Sequence, residues 1–537
     1  LNAYFVAVNQ ETTGQPILNM TEQRNYRLFV YSLFLLSGLS GLIYQIVWTR
    51  MLVLVFGNTM LATSTVLSAF MGGLAAGSYA LGKYIDRKPR SLIRVYAFLE
   101  AGIGLFALLF PLVIDAATPL YAYLFRAVEG NIVSLNLIRF FVCFLIIGVP
   151  TFLMGGTLPV LIKRFTRTED TIGSETGFLY GLNTVGAVIG TFACGYFLLR
   201  ELGMQNTTLV AVAINFGVAA IAWLLGRHTN EQIVTDAPPA IAEESKTVNQ
   251  THSPLVIRMV LIGIGISGFC ALAYEVFWTR MLNLFLHNNI YSFTAILGTF
   301  LIGIATGSLL YGRFLSKSKR QIEIFVLLQI GIGVISYATP LVFRLFHATI
   351  FNNFDETLTL AKTAMIMIPP TIMMGIAVPL AIQICRKGAN KEGTSVGTVY
   401  AVNTIGAIFG AFIAGFILLP ETGLHRGVLL VASLNLVAGA LPLIAISKLS
   451  LRPAWAVATV VAIAILFLTA PNNLFKGLFQ AAHPYADIVY YQEGKVANVV
   501  VYDFKNLGYK DFHLNAVNEA SSRLWHVQLF KLLGLLP

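Results

Sequence analysis

Two long blocks of this chain occur twice, and that repetition constrains the fold more than any other feature. Ser37-Gly38, Tyr44-Gln45 and Trp48-Thr49-Arg50-Met51-Leu52 return as Ser267-Gly268, Tyr274-Glu275 and Trp278-Thr279-Arg280-Met281-Leu282. Gly73, Gly77-Ser78 and Gly82 return at the same offset as Gly303, Gly307-Ser308 and Gly312. Further on, Met154-Gly155 and Pro159 return as Met374-Gly375 and Pro379. Gly181-Leu182-Asn183-Thr184 returns as Ala401-Val402-Asn403-Thr404. A register held over such distances requires two copies of one structural unit.

Each copy is made of long apolar segments. Of the 537 residues, 56% are hydrophobic and 11% charged, and the mean hydropathy is +0.74. Soluble domains carry about 25% charged residues, so the solvent of this chain is lipid. A spanning helix needs roughly 20 apolar residues. Such segments fall near 28–47, 60–82, 95–115, 137–162, 173–198 and 207–225. Six more lie near 256–276, 291–312, 322–343, 363–384, 395–418 and 427–446, and a thirteenth near 454–470. Helices satisfy their own backbone in lipid. The alternating pattern of a membrane β-barrel is absent from the sequence. The expected architecture is an all-α polytopic membrane protein of two parallel six-helix repeats plus a thirteenth helix, followed by a small β-rich part. The boundaries are 1–27 for a polar N-terminal segment, 28–226 for the first repeat and 227–255 for a cytoplasmic linker. They continue as 256–447 for the second repeat, 448–471 for the thirteenth helix and 472–537 for the soluble end. Six spans per copy give both copies the same orientation, related by an axis along the membrane normal.

The net charge of +11 does not indicate nucleic acid, because Lys and Arg sit in short loops between apolar runs. Lys83, Arg87, Lys88, Arg90 and Arg94, with Lys163, Arg164 and Arg167, mark one side. So do Arg313, Lys317, Lys319 and Arg320, with Arg386, Lys387 and Lys391. The positive-inside rule makes that side cytoplasmic. Twelve spans return the chain to the cytoplasm, and a thirteenth places residues 471–537 outside. Cys143, Cys194, Cys270 and Cys385 are isolated, so neither a disulfide framework nor a metal pattern is expected. The first 19 residues show no signal-peptide pattern, and Met20 would serve as a start.

Several positions could carry chemistry. Glu100 is an acid inside an apolar helix, a place for proton or cation coupling, or simply an acid near a helix start. Its repeat counterpart is Gln329. Asn183 and Asn403 are matched mid-helix polar residues, suited to hydrogen bonding between helices or to substrate binding. Trp48, Arg50, Trp278 and Arg280 end the first helix of each copy, where such residues anchor at the membrane surface; Arg50 and Arg280 could alternatively hold an anion. Glu275 lies five residues before Arg280, too poorly aligned for an intrahelical pair. Glycines four residues apart, as at Gly73/Gly77 and Gly303/Gly307, suit close helix packing or sliding contacts.

Gly82-x3-Asp86-Arg87-x2-Arg90 resembles the loop motif of the major facilitator superfamily. Gly312-x3-Ser316-Lys317-x2-Arg320 is a weaker copy. Val489-Tyr490-Tyr491-Gln492-Glu493-Gly494, Asn498-Val499-Val500-Val501-Tyr502-Asp503 and Leu514-Asn515-Ala516-Val517-Asn518-Glu519 look like the beginning of a spermidine synthase domain. Together with the Ser-Gly-Leu opening and the Trp-Thr-Arg signature, the chain resembles membrane-fused spermidine synthase-like proteins of the bacterial inner membrane. That resemblance implies aminopropyl transfer from decarboxylated S-adenosylmethionine to putrescine. It implies that the nucleotide loop and catalytic aspartate lie beyond Pro537, which leaves no catalytic residue within this chain. Asn498 and Glu519 are the positions it offers for a polyamine. A facilitator-like carrier of a small cation, and a non-catalytic membrane subunit of a larger complex, are the alternatives.

Overall fold

The computed structural model describes residues 20–56, 60–87, 91–128, 132–166, 171–228, 252–282, 290–350, 356–386, 391–446, 452–469, 476–477, 479–480, 483–493, 498–514 and 517–535. Residues 1–19, most of the 227–255 linker and Asn515 therefore lie outside the described residues. The first copy forms α1 (Met20–Phe56), α2 (Met60–Arg87), α3 (Leu92–Ala127), α4 (Ile132–Phe165), α5 (Ile172–Phe192) and α6 (Leu199–His228). The second forms α7 (Pro254–Leu282), α8 (Ile290–Leu310), α9 (Gln321–Ile350), α10 (Glu356–Ile384), α11 (Glu392–Ile413) and α12 (Leu419–Ile446). A wider π-type turn joins α5 to α6 and α11 to α12.

Among the described residues, ten helical runs are long and apolar enough to cross a membrane. Two of them, Ile172–Arg227 and Glu392–Ile446, have 56 and 55 residues. At 1.5 Å per residue such a run is more than twice a hydrocarbon core of about 30 Å. Each run folds back at a glycine with left-handed backbone, Gly203 (φ 71°) and Gly423 (φ 73°). Only glycine adopts that conformation without a Cβ penalty. The sequence expects separate fifth and sixth helices in each copy, and the non-helical backbone of Gly203 and Gly423 parts them.

Packing repeats as faithfully as the sequence. α1 packs on α5, α2 on α4 and α3 on α6, as α7 packs on α11, α8 on α10 and α9 on α12. The copies meet through α2 with α11 and α5 with α8, which are equivalent contacts under the repeat. Burying apolar surface drives little association in lipid, so close backbone approach must supply it. The glycines make that approach possible. A Cβ on Gly77 would lie 1.8 Å from the Phe152 carbonyl oxygen, and one on Gly307 would lie 2.0 Å from that of Ile372. The matched glycines are contact points of α2 with α4 and of α8 with α10.

One end of the bundle carries the basic loops. There Asp86 accepts hydrogen bonds from the Gly393 and Thr394 amides at 3.2 and 2.6 Å, capping α11 from across the interface. Lys163 pairs with the same carboxylate at 2.8 Å. In the other copy, Gln383 Oε1 accepts from the Gly173 amide at 2.7 Å, at the start of α5. An acceptor from the opposite copy therefore satisfies the helix start at both interfaces, as orphan N–H groups require.

At the opposite end sits a four-stranded antiparallel meander of β1 (Asp487–Glu493), β2 (Asn498–Phe504), β3 (Tyr509–Leu514) and β4 (Val517–Ser521). It is followed by α14 (Leu524–Leu535). Alternate residues of β2 turn inward: Val500 and Tyr502 join Phe479, Trp278, Met281 and Leu424 in one apolar cluster. Glu493 accepts from the Leu424 amide at 2.6 Å, beside the Gly423 bend. Between the copies and the sheet runs α13 (Arg452–Thr469), packed on α12. Its outer side exposes Val460 (65%) and Leu468 (84%), as a lipid-facing helix does.

Candidate functional site in the central cavity

A cavity of about 240 Å³ lies between the two copies. Its walls are almost entirely repeat-matched pairs: Phe70 with Phe300, Met154 with Met374, Asn183 with Asn403, and Thr184 with Thr404. Tyr180 and Tyr400 are also a matched pair, and their rings meet each other edge-on at 6.3 Å. Two equivalent residues in mutual contact must lie on the pseudo-two-fold axis. They are the lining residues nearest the starts of α5 and α11, so they sit at the basic end of the cavity.

The matched pair Gln45 and Glu275 lines the other end, where the duplication breaks its own symmetry. Glu275 is the only acidic side chain among the described residues lining the cavity, and no Lys, Arg or His joins it there. The aromatic side chains of Phe34, Phe70, Phe300, Tyr180 and Tyr400 surround the space. A negative charge with aromatic faces is suited to a cation. Asn183 and Asn403 border the cavity, and their backbone carbonyls rest against Gly38 and Gly268, where a Cβ would lie 2.0 Å away in both copies.

Glu100 is fully buried and stands one side chain away from the cavity wall. Ser37, which lines the cavity, donates to Glu100 Oε1 at 2.5 Å. Asn215 of α6 donates to Oε2 at 2.5 Å. The second copy holds a neutral counterpart. Gln329 donates to Ser267 at 3.1 Å and accepts from Asn435 at 2.9 Å. Tyr274 donates to Asn435 Oδ1 at 3.0 Å. The sequence pairing of Glu100 with Gln329 could have led to Ser37, Tyr44 and Asn215 as well, since each has a polar counterpart in the other copy.

Trp48 and Trp278 are not surface anchors, which corrects the sequence expectation. They are 1% and 0% exposed and stack on Tyr44 and Tyr274 at 4.9 and 5.4 Å. Four residues place each pair on one helix face, and that face points into the bundle. Arg50 is exposed, whereas Arg280 is 4% exposed because the sheet covers it. Arg280 donates to Asn498 Oδ1 at 3.4 Å. Asn498 thus faces a guanidinium, a poor neighbour for a polyamine. Glu519 is exposed at a bulge of β4, two strands away, so these two residues do not form one pocket. Among the described residues, no group of three or more metal-ligating side chains occurs.

No family model matches the chain. It is 24% identical over 213 residues to polyamine aminopropyltransferase 1 of Streptomyces coelicolor, covering 39% of this chain and 36% of that protein. It is 23% identical over 230 residues to the polyamine aminopropyltransferase of Leptospira interrogans, covering 42% of each. The chain thus spans well under half the length of these curated relatives. Residues 472–537 cannot hold matches of that length, so the similarity takes in membrane helices. Among solved structures, a bacterial homologue of the iron transporter ferroportin in an outward-facing state superimposes with a TM-score of 0.51 at 12% identity. That match covers 78% of this chain and 98% of the transporter. The chain has a major-facilitator-like membrane fold and a distant resemblance to polyamine aminopropyltransferases.

Proposed function

We propose that this chain is the membrane portion of a polyamine aminopropyltransferase-like protein, and that its central cavity binds and carries a small organic polycation. Glu275 supplies the counter-charge. The observation that carries this reading is the lone acid in an aromatic-lined cavity on the pseudo-two-fold axis. The names of its relatives point to polyamines as the ligand class. Two parallel six-helix repeats, with α13 as a thirteenth span, fit the paired packing of the copies. α13 starts after the basic end of α12, and Thr469 near its other end reaches Tyr337, deep within α9, at 3.2 Å. In this reading residues 471–537 lie outside the cytoplasm of a bacterial inner membrane.

Protein reconstituted in liposomes takes up labelled spermidine faster than empty vesicles, and Glu275→Gln lowers the uptake at least about tenfold, as expected for losing a charge-assisted contact of 1.5–3 kcal/mol. Uptake no faster than in empty vesicles, or equal in both proteins, contradicts the carrier reading.

A second reading, aminopropyl transfer from decarboxylated S-adenosylmethionine, rests on the similarity to the named enzymes. It belongs to the natural full-length protein. Its test is spermidine formation from putrescine by that protein; no product with both substrates present contradicts it.

A further inference from the structure

The two polar clusters behind the cavity wall differ in one respect that packing does not explain. In the second copy Tyr274, Trp278, Gln329 and Asn435 each find a mate. Tyr274 bonds Asn435 Oδ1, Trp278 bonds Thr339 at 3.0 Å, and Gln329 bridges Ser267 and Asn435. In the first copy the equivalent Tyr44 hydroxyl, Trp48 indole nitrogen and Asn215 Oδ1 are buried with no hydrogen-bond partner. Asn215 is 1% exposed and Tyr44 0%. Phe110 replaces Thr339 and stacks on Trp48 at 4.5 Å instead. Polar groups orphaned at such depth destabilise the fold unless something pairs them. The copy that carries the acid therefore keeps spare hydrogen-bonding capacity around it.

We propose that Glu100 is a proton-carrying site, loaded and unloaded from the central cavity through the Ser37 hydroxyl. Ser37 borders the cavity and bonds Glu100 Oε1. A hydronium in the cavity gives its proton to Ser37 Oγ while the Ser37 hydroxyl proton passes to Glu100 Oε1. The products are water, an unchanged serine and a neutral glutamic acid. Unloading reverses both transfers.

A proton fits this site better than a metal cation. Ser37 and Asn215 point hydrogens at both carboxylate oxygens, whereas a metal ion needs lone pairs there. Gln329 has the shape of a protonated glutamic acid, so the fold already holds a neutral group of this size at the matched depth. Tyr44 and Tyr96 are the titratable groups facing Glu100. Among the described residues, no Lys, Arg, His or second acid does.

The inference rests on this cluster and not on the identity of the cavity ligand, so its test uses no polyamine. Infrared spectra of the purified full chain, taken across a pH series, report the carbonyl stretch of a protonated carboxyl. One such band is expected to titrate in the wild type and to be missing in Glu100→Gln. Ser37→Ala is expected to displace the midpoint of that titration, because it removes a hydrogen bond to the carboxyl. Exchanging sodium for a bulky organic cation at fixed pH is expected to leave the band unchanged. Titrating band intensity that is undiminished in Glu100→Gln, a midpoint unmoved by Ser37→Ala, or a band that sodium abolishes overturns the proposal. Ser37→Ala is the smaller change, so it tests the relay even if Glu100→Gln fails to fold.

Discussion

At the scale of single residues, the duplication supplies its own controls. Trp278 donates to Thr339, whereas Trp48 has Phe110 in that place and an unpartnered nitrogen. Trp278→Phe should therefore lower stability by about 1 kcal/mol more than Trp48→Phe, the worth of a typical hydrogen bond. Thermal unfolding in detergent measures the difference, and equal losses contradict it. The sequence showed that these tryptophans end a helix, and from that alone a membrane anchor is the natural reading. It did not show which way they face, since the long helices are apolar on all sides and carry no amphipathic signal to separate lipid from core. Glu100 could be singled out because charge is rare in such helices. Glu275 drew notice only beside Arg280, because its cavity forms from helices far apart in the chain.

Among the elements, glycine spacing and the docked sheet make two predictions. Gly307→Ala places a methyl against the Ile372 carbonyl and should cost about 1–3 kcal/mol. Gly217→Ala meets nothing within 4 Å and should be neutral or stabilising by up to about 1 kcal/mol, from helix propensity. Thermal unfolding of the two variants side by side decides the matter; similar losses contradict the packing account. In the bend before β1, His483 packs on the sheet with its ring 4.5 Å from Tyr502 and 5.3 Å from His513. Burial pushes His483 below its ordinary value of 6.5, against the opposing pull of Asp511. The unfolded histidine then binds a proton more readily than the folded one, so stability falls as pH drops below about 6.5. His483→Phe should flatten the thermal stability between pH 7 and 5, and an unchanged slope removes His483 from the effect. The strands were legible from period-two alternation around Val500 and Tyr502. Their seat on the end of α7 was not, because it depends on Arg280 and the Gly423 bend, which lie more than sixty residues from the sheet in the chain.

For the molecule as a whole, the repeat was legible at once, because matched residues at constant offset need no knowledge of packing. The cavity followed only when equivalent residues such as Tyr180 and Tyr400 were found in contact. Orientation is open to a direct chemical test. All four cysteines are buried, so Asn506→Cys, in an exposed turn of the sheet, should be the main target of a membrane-impermeant thiol reagent. Labelling in intact cells is expected if residues 471–537 lie outside; labelling only after lysis contradicts that placement. The central claim, a polycation held in the cavity by Glu275, is tested most directly by calorimetric titration of spermidine into the purified full chain. The account predicts one site per chain, weakened about tenfold or more by Glu275→Gln and little affected by Gln45→Ala at the matched position. Absence of binding, or equal affinity for wild type and Glu275→Gln, would contradict it.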